Sequence, residues 1–100
     1  MRRILVAGNW KLNGSKASIQ KLVTGIVAGA ENLTKVSIAV CAPYVYLPFT
    51  AELLTKTAIG LGAQDVSEQD SGAYTGEVAA PMLLEVGCQY VIVGHSERRA

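Results

Sequence analysis

Arg3-Ile-Leu-Val-Ala-Gly-Asn9 is a short, continuous apolar run that ends abruptly in polar residues. Such a run, with no polar alternation, marks a strand buried on both faces, as in a parallel sheet covered by helices. The segments on its C-terminal side agree with it. Asn13-Gly14 is a turn signal, and Ser15 is a ready helix N-cap. Beyond it Ile19, Leu22, Val23, Ile26, Val27 and Ala30 recur at the spacing of one helical face. Gly25 and Gly29 weaken that helix intrinsically, so it depends on packing.

The alternation then repeats. Val36–Ala42 (VSIAVCA) reads as a second strand, stopped by Pro43. Pro48 suits the first turn of a second helix through Phe49, Leu53 and Leu54. Ala58–Gln64 (AIGLGAQ) is a third strand, weak in propensity, in which Gly60 and Gly62 point to close approach of a neighbour. Asp65–Glu77 is a long polar connection broken at Ser71-Gly72, a length that usually serves function. Val78–Val86 reads as a short third helix with Pro81 in its first turn and Gly87 just past its end. Gln89–Gly94 (QYVIVG) is a fourth buried strand, followed by His95-Ser96-Glu97.

The order β-α-β-α-β-α-β, with crossovers this short, requires parallel strands in right-handed connections. Two architectures fit: an open doubly wound sheet, or the first half of a closed barrel. In both, ligands meet the residues just after strand C-termini. Polar residues collect at those places: Asn9 and Lys11, Gln64 and Asp65, and His95 to Glu97.

Composition narrows the function. Half of the 100 residues are hydrophobic, 17% are charged, and the formal net charge is +1. That is globular composition without the basic stripe a nucleic-acid or membrane-surface binder needs. The apolar runs are strand-sized, which predicts no transmembrane helix and no signal-peptide core, hence a soluble, cytoplasmic chain. Cys41 and Cys88 form no CxxC, and His95 is the single histidine, so the expectation is two buried free thiols and no metal site.

Gly8 to Ser15 lacks the spacing and the lysine of a P-loop, and no G-x-G-x-x-G follows the first strand. Lys11 therefore reads either as a solvated surface lysine or as an ammonium at a sheet mouth. In the second case it holds a phosphate and offsets charge on a substrate oxygen. Asn9 is either a strand-ending turn residue or the group that orients Lys11. His95 is either structural or an electrophile. With Ser96 capping a following helix, the dipole would favour neutral imidazole there. Glu97 fits the first turn of that helix, or anchors Lys11.

Four motifs draw these signals together. Gly8-Asn9-Trp10-Lys11-Leu12-Asn13 resembles the GNWK-[LM]-N opening of triosephosphate isomerases. Leu61-Gly62-Ala63-Gln64-Asp65 is similar to the family's third strand, and Ser71–Glu77 (SGAYTGE) to its third loop. Val91-Ile-Val-Gly-His-Ser-Glu-Arg-Arg99 resembles its fourth strand and the loop after it. The resemblance spans the chain and implies a (β/α)8 TIM barrel. Residues 1–100 would supply β1-α1-β2-α2-β3-α3-β4 as the N-terminal part of a single domain whose C-terminal remainder is absent.

What the resemblance implies of function is equally specific. The reaction would interconvert dihydroxyacetone phosphate and glyceraldehyde 3-phosphate through an enediolate, in glycolysis and gluconeogenesis, with no cofactor or metal. His95, Lys11 and Glu97 would be catalytic, Asn9 and Lys11 would bind substrate, and Ser96 would support the histidine. Gln64, Tyr74, Thr75, Glu77 and Arg98 would belong to a homodimer interface. Thr75 would reach the partner's lysine region, and Glu77 and Arg98 would pair. A barrel of this type runs to about 250 residues. The general base, the lid and the far phosphate site would therefore lie outside the chain, which alone is expected to be inactive. A half-barrel module that associates with a complementary chain is the alternative.

Overall fold

The computed structural model describes residues 4–30 and 36–94. Its elements are β1 (Ile4–Asn9), α1 (Lys16–Ala30), β2 (Val36–Ala42), α2 (Leu47–Leu54), β3 (Gly60–Ala63), α3 (Ala80–Glu85) and β4 (Tyr90–Val91). A single 3₁₀ turn, Tyr44–Tyr46, leads into α2.

Local chemistry sets the boundaries. At the start of α1 the Ser15 hydroxyl accepts the Ser18 N–H at 3.2 Å, while the Ser18 hydroxyl accepts the Ser15 N–H at 2.9 Å. This reciprocal box satisfies two of the donors that a helix start leaves open. Pro48 and Pro81 occupy the first turns of α2 and α3, where a missing N–H costs nothing. The end of α3 is a Schellman motif: the Cys88 N–H reaches the Leu83 carbonyl at 3.0 Å and the Gly87 N–H the Leu84 carbonyl at 3.1 Å. Gly87 adopts the φ of +95° that this turn requires.

The four strands are all parallel and lie in the order β1-β2-β3-β4. A doubly wound sheet reverses direction after its first crossovers. Here each strand is added beside the last, and one core cluster draws on all three helices. The doubly wound alternative is thereby excluded, and the arrangement is that of half a barrel. That core lies between the helices and one face of the sheet. Ile19 and Val23 from α1, Leu47 and Leu54 from α2 and Leu83 from α3 meet Val40, Ala42, Leu61 and Ala63.

The other face is built of small residues. Strand alternation and register place Ala39, Cys41, Gly60 and Gly62 on it. A Cβ on Gly60 would lie 2.6 Å from Cε2 of Tyr90, and one on Gly62 would lie 2.6 Å from Sγ of Cys41. Both glycines are therefore required by close approach, as their position in the sequence suggests.

Several boundaries and burials differ from expectation. β3 is shorter than Ala58–Gln64, β4 shorter than Gln89–Gly94, and α3 shorter than Val78–Val86. Backbone pairing continues past the ends of β4, since Gln89 N–H donates to Leu61 O and Ile92 N–H to Ala63 O. The first and fourth strands are not buried on both faces. Leu5 is 48% exposed, Val6 53% and Val93 79%, because β1 and β4 are the outer strands of the described sheet. Burial on both faces belongs to β2 and β3, where Ala39, Ala42 and Ala63 are fully enclosed. Leu22 also turns outward, beside Lys21 and Gly25 on the flank of α1.

Cys41 and Cys88 are buried free thiols, and burial pushes both pKa values up. At Cys88 the nearby Cys41 adds to the rise. A raised folded pKa means that the native state holds its proton longer than the unfolded chain does. Stability from these thiols should be intact below the unfolded thiol pKa and fall as pH rises toward the folded value. Equilibrium denaturation across the alkaline range reads this directly. The two glycine environments give opposite expectations. Gly62→Ala should cost about 1–3 kcal/mol by overpacking against Cys41. Gly29→Ala, with nothing within 4 Å of the added carbon, should gain about 0.5–1 kcal/mol of helix stability.

Candidate active site

The C-terminal ends of β1, β2 and β3 converge on one lysine. In-register pairing sets Asn9 beside Cys41 and Cys41 beside Gly62. Just past β1, the Trp10 N–H continues the ladder onto the Cys41 carbonyl at 3.1 Å. The chain then turns sharply, and Lys11 takes a left-handed φ of +54°. For a residue with a side chain this costs about 1–2 kcal/mol.

Side chains hold the turn from both sides. The Asn9 Oδ1 accepts the Lys11 N–H at 2.9 Å. The Gln64 Nε2 donates to the Lys11 carbonyl at 2.7 Å, to the Cys41 carbonyl at 3.1 Å and, more weakly, to Asn9 Oδ1 at 3.4 Å. The three oxygens decide which end of the Gln64 amide faces them. Two residues further, Asn13 Nδ2 donates to the Trp10 carbonyl at 2.9 Å. The backbone between Asn9 and Asn13 is thus pinned by three amide side chains, with the lysine exposed at its crest.

An ammonium presented this way can bind an anion or oppose charge developing on an oxygen. The neighbouring loop offers nothing of the kind. Residues 65–77 fold back on themselves, closed at the base by the Ser67 N–H on the Val78 carbonyl at 2.8 Å. Under the loop lies a concavity of about 500 Å³ lined by Tyr44, Asp65, Glu68, Tyr74 and Glu77. Its lining carries three acidic side chains, Asp65, Glu68 and Glu77. The raised pKa values of the buried thiols keep both cysteines neutral and unsuited to act as nucleophiles. Among the described residues no group of three His, Cys, Asp or Glu is placed to hold a metal ion. No described helix is long and apolar enough to cross a membrane.

Of the residues named from the sequence, Asn9, Lys11 and Gln64 come together at this point. Tyr74, Thr75 and Glu77 sit apart, exposed on the loop, where the Glu77 N–H turns back to the Tyr74 carbonyl at 3.0 Å. Gly72 at φ +124° and Gly76 at φ +89° flank that tip. His95, Ser96, Glu97 and Arg98 lie outside the described residues. The last described residue, Gly94, has a φ of +76°. Sequence reasoning did not find the clamp that Gln64 makes on Lys11. The only signal for it was a polar side chain directly after a glycine-rich strand.

Comparison with known proteins follows the same lines. The sequence model of the triosephosphate isomerase family matches residues 4–100. Triosephosphate isomerase of Herminiimonas arsenicoxydans is 59% identical over 100% of this chain and 40% of its own length. That of Hydrogenovibrio crunogenus is 55% identical, again over 100% of this chain and 40% of its own. The crystal structure of triosephosphate isomerase from Bartonella henselae superposes with a TM-score of 0.89 at 39% identity, covering 99% of this chain and 40% of that one. The chain therefore spans about 40% of the length of the curated relatives it matches. Four parallel strands in barrel order, a pinned lysine at their mouth and a match over nearly every residue lead to one statement: the chain belongs to the triosephosphate isomerase family.

Proposed function

We propose that this chain supplies the first half of the active site of a triose-phosphate isomerase. The substrates would be dihydroxyacetone phosphate and glyceraldehyde 3-phosphate, interconverted in glycolysis and gluconeogenesis. The observation that carries this reading is Lys11, held in a left-handed turn at the C-terminal end of β1 by Asn9 and Gln64. Barrel enzymes place their chemistry at that end of the strands.

The reaction balances internally. A base takes a proton from the carbon beside the carbonyl, the electron pair moves onto the carbonyl oxygen, and an enediolate forms. A proton passes from the hydroxyl oxygen to the former carbonyl oxygen, and return of a proton to the neighbouring carbon then gives the isomer, one carbon having been oxidised as the other is reduced. No external oxidant or reductant takes part. Lys11 would hold the substrate phosphate and oppose the enediolate charge, and Asn9 would shape its pocket. His95 would donate to the two substrate oxygens, with Ser96 capping the helix behind it and Glu97 tied to the lysine. A neutral histidine electrophile is the assignment the family carries. The base, the lid and the second phosphate site would come from the part of the barrel beyond residue 100, within the same single domain.

The loop from residue 65 to 77 would serve a homodimer in the cytoplasm. Tyr74 is the amphipathic anchor an interface favours, and it is 45% exposed at the loop tip. Thr75 would reach the partner's lysine region, with Glu77 and Arg98 pairing across the contact. A second reading, a half-barrel that associates with a complementary chain, draws on the exposed apolar residues of the outer strands β1 and β4.

The 100-residue chain alone should show no isomerase activity. Joined to the rest of the Herminiimonas arsenicoxydans relative, residues 1–100 should yield an active enzyme. In that chimera Lys11→Ala and His95→Gln should each lower turnover by about 10²–10³-fold, as expected for groups that oppose developing charge. Size-exclusion chromatography of the chain with and without a separate C-terminal piece tests the second reading. Assembly without recovered activity would favour it.

A further inference from the structure

Lys11 occupies a left-handed backbone conformation that costs a lysine free energy. Its N–H is taken up by Asn9, but Asn9 is its near neighbour in the same turn and moves with it. A tie to the rest of the fold comes through Gln64, which lies more than fifty residues away in sequence. Gln64 follows directly on β3, and β3 is enclosed on both faces, so the residue hangs from the most rigid part of the sheet.

We infer that Gln64 is a positioning residue for Lys11, locking the lysine backbone to the ends of β2 and β3. Its amide has two N–H donors, and the shortest contacts are the carbonyls of Lys11 at 2.7 Å and Cys41 at 3.1 Å. One donor thus fixes the strained residue and the other fixes the strand next to it. The Cys41 carbonyl accepts the Trp10 N–H as well, so the same oxygen anchors the turn's first residue and the clamp. Loss of the clamp releases Lys11 toward ordinary backbone angles and swings its ammonium away from the sheet mouth. This is a role inside one chain, separate from the interface role that the family resemblance implies for Gln64.

The kinetic part rests on the isomerase reading; the structural part does not. Gln64→Leu removes both donors, and the isosteric Gln64→Glu turns an acceptor toward three oxygens. In the chimera described above, each should lower kcat/KM by about 10–100-fold, the scale of a displaced catalytic group. Each should also weaken inhibition by inorganic phosphate. In a Lys11→Ala background Gln64→Leu should cause no further loss, because its effect passes through the lysine. Hydrogen exchange at the Trp10 amide, which ties the turn to the same Cys41 carbonyl that Gln64 grips, should accelerate at least about tenfold in Gln64→Leu, the worth of one hydrogen bond.

The inference is overturned by any of three results. The Gln64 variants could melt at lower temperature yet keep kcat/KM within about twofold. Their losses could multiply with that of Lys11→Ala. Exchange at the Trp10 amide could stay unchanged. An inactive parent chimera would count against the isomerase reading alone, since the exchange measurement still decides whether Gln64 holds Lys11.

Discussion

Register between parallel strands is the constraint on which both the fold and the site depend. Asn9, Cys41 and Gly62 stand side by side on β1, β2 and β3. Because side chains alternate along a strand, this single alignment sorts every residue of the three strands onto the helix side or the inner side. It also sets the strand ends level, so that residues leaving β1 and β3 meet at the Cys41 carbonyl. A slip of one residue would bury the wrong face of β2 and carry Gln64 out of reach of Lys11. Core packing and site geometry are therefore specified by the same pairing.

The centre of the sheet tolerates that register because β3 gives up its side chains. Gly62 leaves room for the Cys41 thiol, and Gly60 leaves room for the Tyr90 ring. Glycine weakens an isolated strand, and β3 has only Leu61 and Ala63 to commit to the helix-side core. The strand is secured instead by its neighbours, with parallel ladders on both sides and Leu61 and Ala63 buried at 3% and 0% exposure. Rigidity at Gln64 follows from this enclosure. A residue placed at the end of an outer strand could not serve as an anchor for a strained turn.

Most of the fold was legible in the residues, and the parts that were not have physical reasons. Ser15 as a cap, Gly87 as a helix terminator and the two glycines of β3 carry local rules that need no tertiary context. Strand burial was not readable in the same way. Arg3–Asn9 and Gln89–Gly94 have the apolar runs of central strands, yet β1 and β4 are outer strands in the described sheet, and hydrophobicity alone does not report strand order. At the site, Asn9 and Lys11 stood out because a strand ends there in polar residues. The partner that holds them did not, since a hydrogen bond between Gln64 and a backbone carbonyl far away in sequence leaves no spacing to recognise.

The placement of the lysine raises a mechanical question that the geometry answers. Lys11 follows an outer strand whose side chains are about half exposed, the part of the described sheet with least support from packing. On the proposed reading, a charge that meets a phosphate and a developing enediolate must nonetheless hold its position to within a fraction of an ångström. Burying the lysine would achieve this only by desolvating its ammonium, which weakens the charge that the proposed chemistry needs. The chain keeps the ammonium exposed and immobilises its backbone instead, using neutral amide groups whose hydrogen bonds carry no charge to compete with an anion. Left-handed φ at Lys11 is then a consequence of bringing the turn close enough for Gln64 to grip. Positional order is borrowed from the buried strands β2 and β3 and delivered to an exposed cation just past β1.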